Sequence, residues 1–171
     1  MPPATVRLWS LPRAAALSLL LTAGGCVPPE GTAGGFGPGD PAAVPAFRET
    51  IAASQTVSRL ALPKTGGGNA ELIRALLSPA AIAAGARQSA ATAAAMREAV
   101  PRALGQPSAR PARLFQIERA FALTGSGRPV VVLICDTCGT ATLAMRPAGE
   151  TGDVILPPQF DLGALGASLP P

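Results

Sequence analysis

The sequence predicts an α+β fold, with N-terminal helices packed on a small antiparallel β-meander of three to four strands. Three observations carry that expectation. The apolar period changes from helical to two after a break marked by Pro101, Gly105, Pro107 and Pro111. Upstream of the break, Ser78-Pro79 opens an alanine-rich run, AAIAAGARQSAATAAAMREAV, in the best helix-forming residue. Downstream, VVVLIC (130–135) is a continuous apolar, β-branched stretch, as expected of a central strand covered on both faces.

Residues 27–45 read VPPEGTAGGFGPGDPAAVP, and ten of these nineteen are Gly or Pro. Such a stretch buries too little apolar surface to offset its ordering entropy. Residues 26–45 are therefore expected to be a flexible tether, with an end-to-end distance of about 20–25 Å. The helical region is expected over 46–105. Its first helix, 46–62, places Phe47, Ile51, Val57, Leu60 and Leu62 at ragged helical spacing, with Pro45 near the first turn. Pro63 and Gly66-Gly67-Gly68 end it. Asn69 is the expected cap of a second helix through Leu77, with Glu71 placed favourably in its first turn. Ser78 as cap and Pro79 at the first helical position start a third helix, running to about Val100. One stripe of it holds Ile82, Ala86, Ala90, Ala93 and Met96. These are mostly small residues that suit close packing on something flat.

The β-meander is expected over 112–157. Phe115, Ile117, Phe121 and Leu123 fall on one face of its first strand, with Gln116 and Glu118 opposite and Arg119 the exception on the apolar face. Thr124-Gly125-Ser126-Gly127 is a turn, 130–135 the central strand, Asp136-Thr137-Cys138-Gly139 a second turn, 140–145 a third strand and 153–156 a short fourth. Residues 158–171 are expected to be a flexible tail.

Composition narrows function mainly by exclusion. The chain has no histidine. That removes Ser-His-Asp and Cys-His catalysis, the commonest general base and the commonest metal ligand. Ten carboxylates are dispersed, and none form an evident acid/base pair in sequence. The net charge of +4 falls to +2 without Arg7 and Arg13, and Lys64 is the sole lysine. There is no Lys/Arg cluster and no Tyr, so no nucleic-acid partner is expected. An enzyme is not expected, and no cofactor or metal is assigned.

The first 26 residues carry an address. MPPATVRLWSLPR holds the only two charges before Cys26, AAALSLLLTA is apolar, and Gly24-Gly25 precede the cysteine. The apolar stretch is about 10 residues, short of the roughly 20 that span a hydrocarbon core. Ala23-Gly24-Gly25-Cys26 resembles the lipobox of a bacterial lipoprotein. It departs from that pattern at Ala23, where Leu is usual, and at Gly24, where Ala or Ser is commoner. The resemblance covers residues 1–26 only. It implies a signal peptide over 1–25, a diacylglyceryl group on Cys26 and an N-acyl chain such as palmitate. Such a set of chains anchors stably, whereas one alone is marginal. It also implies the cell envelope, facing the periplasm. Val27, rather than Asp, after the lipidated cysteine favours the outer membrane over the inner. The same residues fit an ordinary secretory signal cut near Ala23–Gly25. That would leave Cys26 a lone thiol, a liability in an exported chain.

Cys135-Asp136-Thr137-Cys138 is the one motif that carries chemistry. Outside the cytoplasm the pair is expected to be a disulfide stapling a hairpin turn. A thiol–disulfide exchange site is the second reading, although such a pair ordinarily opens a helix that lowers the thiol pKa. Here Gly139-Thr140-Ala141-Thr142 favours a strand. A metal reading is the third, as half of a zinc knuckle or as a copper(I) site with Met145. Lys64–Asn69 is glycine-rich but lacks P-loop order, and an interhelix breaker is the expected role.

The functional expectation is a membrane-tethered envelope lipoprotein, anchored through lipid on Cys26. It would act as a non-enzymatic binding or assembly module docking an envelope protein partner. The alternative is a thiol–disulfide exchange or metal-handling protein using Cys135 and Cys138.

Overall fold

Successive residues of the VVVLIC strand point into two different cores. Val130, Val132 and Ile134 belong to one apolar cluster, and Val131, Leu133 and Cys135 to a second on the opposite face. All six are completely buried. A computed structural model describes residues 39–64, 68–146 and 154–169 of the 171-residue chain. The expected signal peptide, Cys26 and the tether as far as residue 38 lie outside the described residues.

The fold is α+β, with four α-helices and one six-stranded antiparallel sheet among the described residues. The helices are α1 (Val44–Ala52), α2 (Asn69–Leu76), α3 (Pro79–Ala83) and α4 (Ala90–Ala103). The strands are β1 (Ser54–Leu60), β2 (Ala86–Arg87), β3 (Arg119–Gly125), β4 (Val130–Cys135), β5 (Thr140–Ala144) and β6 (Phe160–Asp161). Their order across the sheet is β2-β1-β3-β4-β5-β6. Helices α1 and α4 and a 3-10 segment, Leu162–Ser168, cover one face. The other face is covered by α2, by Ile82 of α3 and by Phe115 and Ile117. No helix among the described residues is long and apolar enough to cross a membrane.

Six strands form where three to four were expected: two come from the helical region and one from the tail, while of the expected short strand at 153–156 the described residues keep only an isolated Ile155–Met145 bridge. The expected helix over 46–62 ends at Ala52, and β1 succeeds it. Ser54 Oγ donates to Ile51 O at 2.7 Å, satisfying a carbonyl of the last turn. Ser54, Val57 and Leu60 are the buried residues of β1, a spacing of three. In a strand that spacing alternates faces: Val57 joins the α1–α4 cluster and Leu60 the opposite one. With both faces covered, a period of three imitates a helix.

The expected third helix is two helices around a short strand. At Gly85 a Cβ would lie 2.9 Å from both Leu60 Cδ2 and Ser58 Cβ, so the chain passes tightly over β1 there. Residues 86–87 pair with Ser58 and Arg59. Ser89 Oγ then accepts from Thr92 N at 3.1 Å and caps α4 anew. The expected small-residue stripe is thereby split. Ala93 and Met96 are buried against α1 and the sheet, Ile82 packs in the opposite core, and Ala86 and Ala90 are exposed. Pro101 lies inside α4 rather than at a break. Gly68, not Asn69, is the N-cap of α2, and Asn69 Nδ2 donates to Phe115 O at 2.6 Å.

Phe115 and Ile117 lie on the face opposite Phe121 and Leu123, where one shared face was expected. Arg119 pairs with Ile134, and Glu118 N also donates to Ile134 O at 2.8 Å. Two successive residues thus oppose one, a bulge-like step that inverts the phase. The expected flexible segments are anchored as well. Of the tether, Pro41–Ala43 forms a 3-10 turn capped by Asp40, and Asp40 N donates to Leu156 O at 2.9 Å. Of the tail, Phe160 is fully buried and Leu165 nearly so. Gln159 Nε2 donates to Ala112 O at 3.1 Å, and Gln159 Oε1 accepts from Ala112 N at 2.9 Å.

Candidate functional site: the Cys135–Cys138 turn

The end of β4 carries Cys135 into the second core, and β5 begins at Thr140, its register partner. The four residues between 135 and 140 must reverse the chain. Gly139 has φ +66°, a conformation open to glycine with little cost, and its N–H donates to Asp136 O at 3.1 Å. Cys135 and Cys138 are joined as a disulfide across this turn. Cys138 N also donates to Cys135 Sγ at 3.1 Å. Gly139 O accepts from Leu162 N at 2.9 Å, which ties the turn to the C-terminal segment.

Two side chains at the start of β3 clasp the turn from outside. Arg119 Nε donates to Asp136 Oδ2 at 2.8 Å, and a second guanidinium nitrogen bonds Asp136 Oδ1, making the pair bidentate. Glu118 receives two bonds from Thr137, one from the hydroxyl and one from the backbone N–H at 2.9 Å. Those donors, the hydroxyl first, hold the Glu118 carboxyl below its ordinary pKa. The hydrogen bond to Asp136 raises the pKa of Arg119 in turn.

The arrangement suits a staple better than a working thiol pair. Cys135, first of the two, has no exposed surface. Cys138 is partly exposed, with its Sγ 3.4 Å from Leu114 O. The chain continues from Cys138 into a glycine and a strand, with no helix N-terminus to favour a thiolate. The copper(I) arrangement with Met145 fails on geometry. Met145 lies in the first core, beyond the far end of β5, and Cys135 in the second. Among the described residues no group of three or more Cys, Asp or Glu is placed to hold a metal ion.

Cys26, the expected lipidation site, lies outside the described residues. Of Lys64–Asn69, residues 65–67 do too, and the stretch separates β1 from α2 rather than two helices. The Glu118 and Arg119 clasp was not found from sequence. Its signal was present in the charge order, Glu-Arg against Asp-Thr, and it needed the β3–β4 register to be read.

No family model matches this chain, and no curated protein or solved structure is significantly similar to it.

Proposed function

We propose that this chain is a membrane-tethered lipoprotein of the bacterial envelope, acting as a non-enzymatic binding or assembly module for an envelope protein partner. Lipid on Cys26 would hold it at a membrane facing the periplasm, the outer membrane by preference. The observation that supports this most directly is the Cys135–Cys138 disulfide, buried at Cys135 and clasped by Glu118 and Arg119. A structural disulfide belongs to an oxidising compartment, in keeping with an exported chain. The chain also lacks histidine, so the usual acid–base and nucleophilic constellations have no centre. The competing reading, thiol exchange or metal handling by the same pair, is served poorly by a first cysteine with no exposed surface.

Cell fractionation of the Cys26→Ser variant tests the anchor. The wild-type chain is expected with membranes and the variant in the soluble periplasmic fraction. Retention of the variant on membranes would remove the lipid anchor from this account.

A further inference from the structure

A second region of the molecule, at the opposite end of β4, has the makings of a ligand site. Six residues of β4 separate it from the disulfide turn, or roughly 17 Å of strand. There the outer face of α1 and the β3–β4 loop form the two walls of an open groove of about 450 Å³. Ala46, Glu49, Thr50 and Ala53 supply one wall at helical spacing, while Phe47 and Ile51 of the same helix point into the core. Ser126, Gly127 and Arg128 supply the other, and the buried Met145 closes the floor. The volume falls in the range of small-ligand sites, about 300–1,000 Å³.

The walls are held in place by backbone packing. A Cβ at Gly125 would sit 2.2 Å from Ala53 O and 2.8 Å from Ser54 Cα, so β3 and the end of α1 touch there. The groove opens just beyond. A Cβ at Gly127 would meet only Ala53 Cβ and Thr50 Cγ2, each at 4.0 Å. The Thr50 hydroxyl donates to Ala46 O at 2.8 Å, and its oxygen lies 4.0 Å from Met145 Sδ, where helix wall and floor meet.

Charge chooses the ligand. Glu49 and Arg128 line the same groove, and neither makes an ion pair among the described residues. A ligand with a single charge would satisfy one wall and leave the other idle. From this placement we infer that the groove binds a short zwitterionic peptide. Its ammonium end lies toward Glu49, its carboxylate toward the guanidinium fork of Arg128, and its aliphatic body over Met145, Ala46 and Ala53. The inference rests on the binding-module reading and adds to its protein partner a small ligand of stated class.

Amide NMR of the full chain in detergent tests it, with alanyl-alanine as probe beside its N-acetylated and C-amidated forms. The free dipeptide is expected to shift the resonances of Thr50, Ala53 and Ser126–Arg128 saturably. Blocking either end is expected to weaken binding by about tenfold, and added salt to weaken it further. Arg128→Gln should make the chain indifferent to amidation, and Glu49→Gln indifferent to acetylation. Both residues are exposed, so folding should be undisturbed. Gly127→Leu should fill the groove and abolish the shifts while the rest of the spectrum stays in place. No saturable shift up to about 10 mM dipeptide, or equal binding of the blocked forms, would overturn the inference. Either result leaves crosslinking to an envelope protein and the Cys26→Ser fractionation unaffected, so the groove and the binding-module reading fail separately.

Discussion

Thr137 gives both its hydroxyl and its backbone N–H to Glu118, and these two bonds join the disulfide turn to the start of β3. Because the folded pKa of Glu118 is depressed, its contribution to stability is complete above the pKa of an unfolded glutamate. The contribution is lost as pH falls through the lower folded value. Thr137→Val removes the largest cause of that shift. The Glu118 pKa should then move up toward the ordinary value in a carboxyl NMR titration, and an unchanged titration would contradict the assignment. Replacing Cys135 and Cys138 together by alanine opens a very short loop. A loss of about 2 kcal/mol is expected by urea denaturation, with partner crosslinking in the envelope preserved. Loss of the crosslink at unchanged stability would mean the sulfurs work rather than brace. At this scale the sequence was legible where chemistry is local. The cysteine pair, the glycine turn at Gly139 and the Ser78-Pro79 cap were all readable. The Glu118–Thr137 and Arg119–Asp136 contacts cross 19 and 17 residues, and only strand register brings them together.

Elements were harder to read where both faces of the sheet are covered. Strand β1 buries Ser54, Val57 and Leu60, and a spacing of three matches the helical pattern better than the alternation of a half-buried strand. The alanine-rich run hid a break because alanine favours helix, while the tight passage of Gly85 over β1 is a tertiary demand. Ser89 was the local clue to the restart of the helix. Ser89→Ala should cost about 1 kcal/mol by removing the α4 cap, measured by chemical denaturation. A cost near zero would mean that packing alone holds the start of α4. The C-terminal segment offers a sharper test, since sequence suggested a loose tail. Phe160 is fully buried between β5 and the 3-10 segment's core. Phe160→Ala should therefore cost about 3–5 kcal/mol. A near-neutral result in the same denaturation experiment would return 158–169 to the role of tail.

The described residues form a six-stranded antiparallel sheet with an apolar core on each face and a disulfide at one corner. The α+β class was legible because the change of period near residue 112 and the VVVLIC run are properties of many residues at once. The strand count was not, because short edge strands such as β2 and β6 hold two residues each and carry no periodicity. The same contrast separates the two candidate sites. A cysteine pair announces itself in sequence, whereas the Glu49–Arg128 groove exists only once α1 meets the β3–β4 loop.

The central claim is that the Cys135–Cys138 pair braces a binding module and does not exchange electrons. Its reduction potential, measured on the metal-free protein, tests that claim most directly. Burial of Cys135 and the clasp by Glu118 and Arg119 predict a value below about −300 mV, in the range of structural disulfides. A value above roughly −200 mV, typical of labile or catalytic pairs, would contradict the account and make this a thiol–disulfide protein.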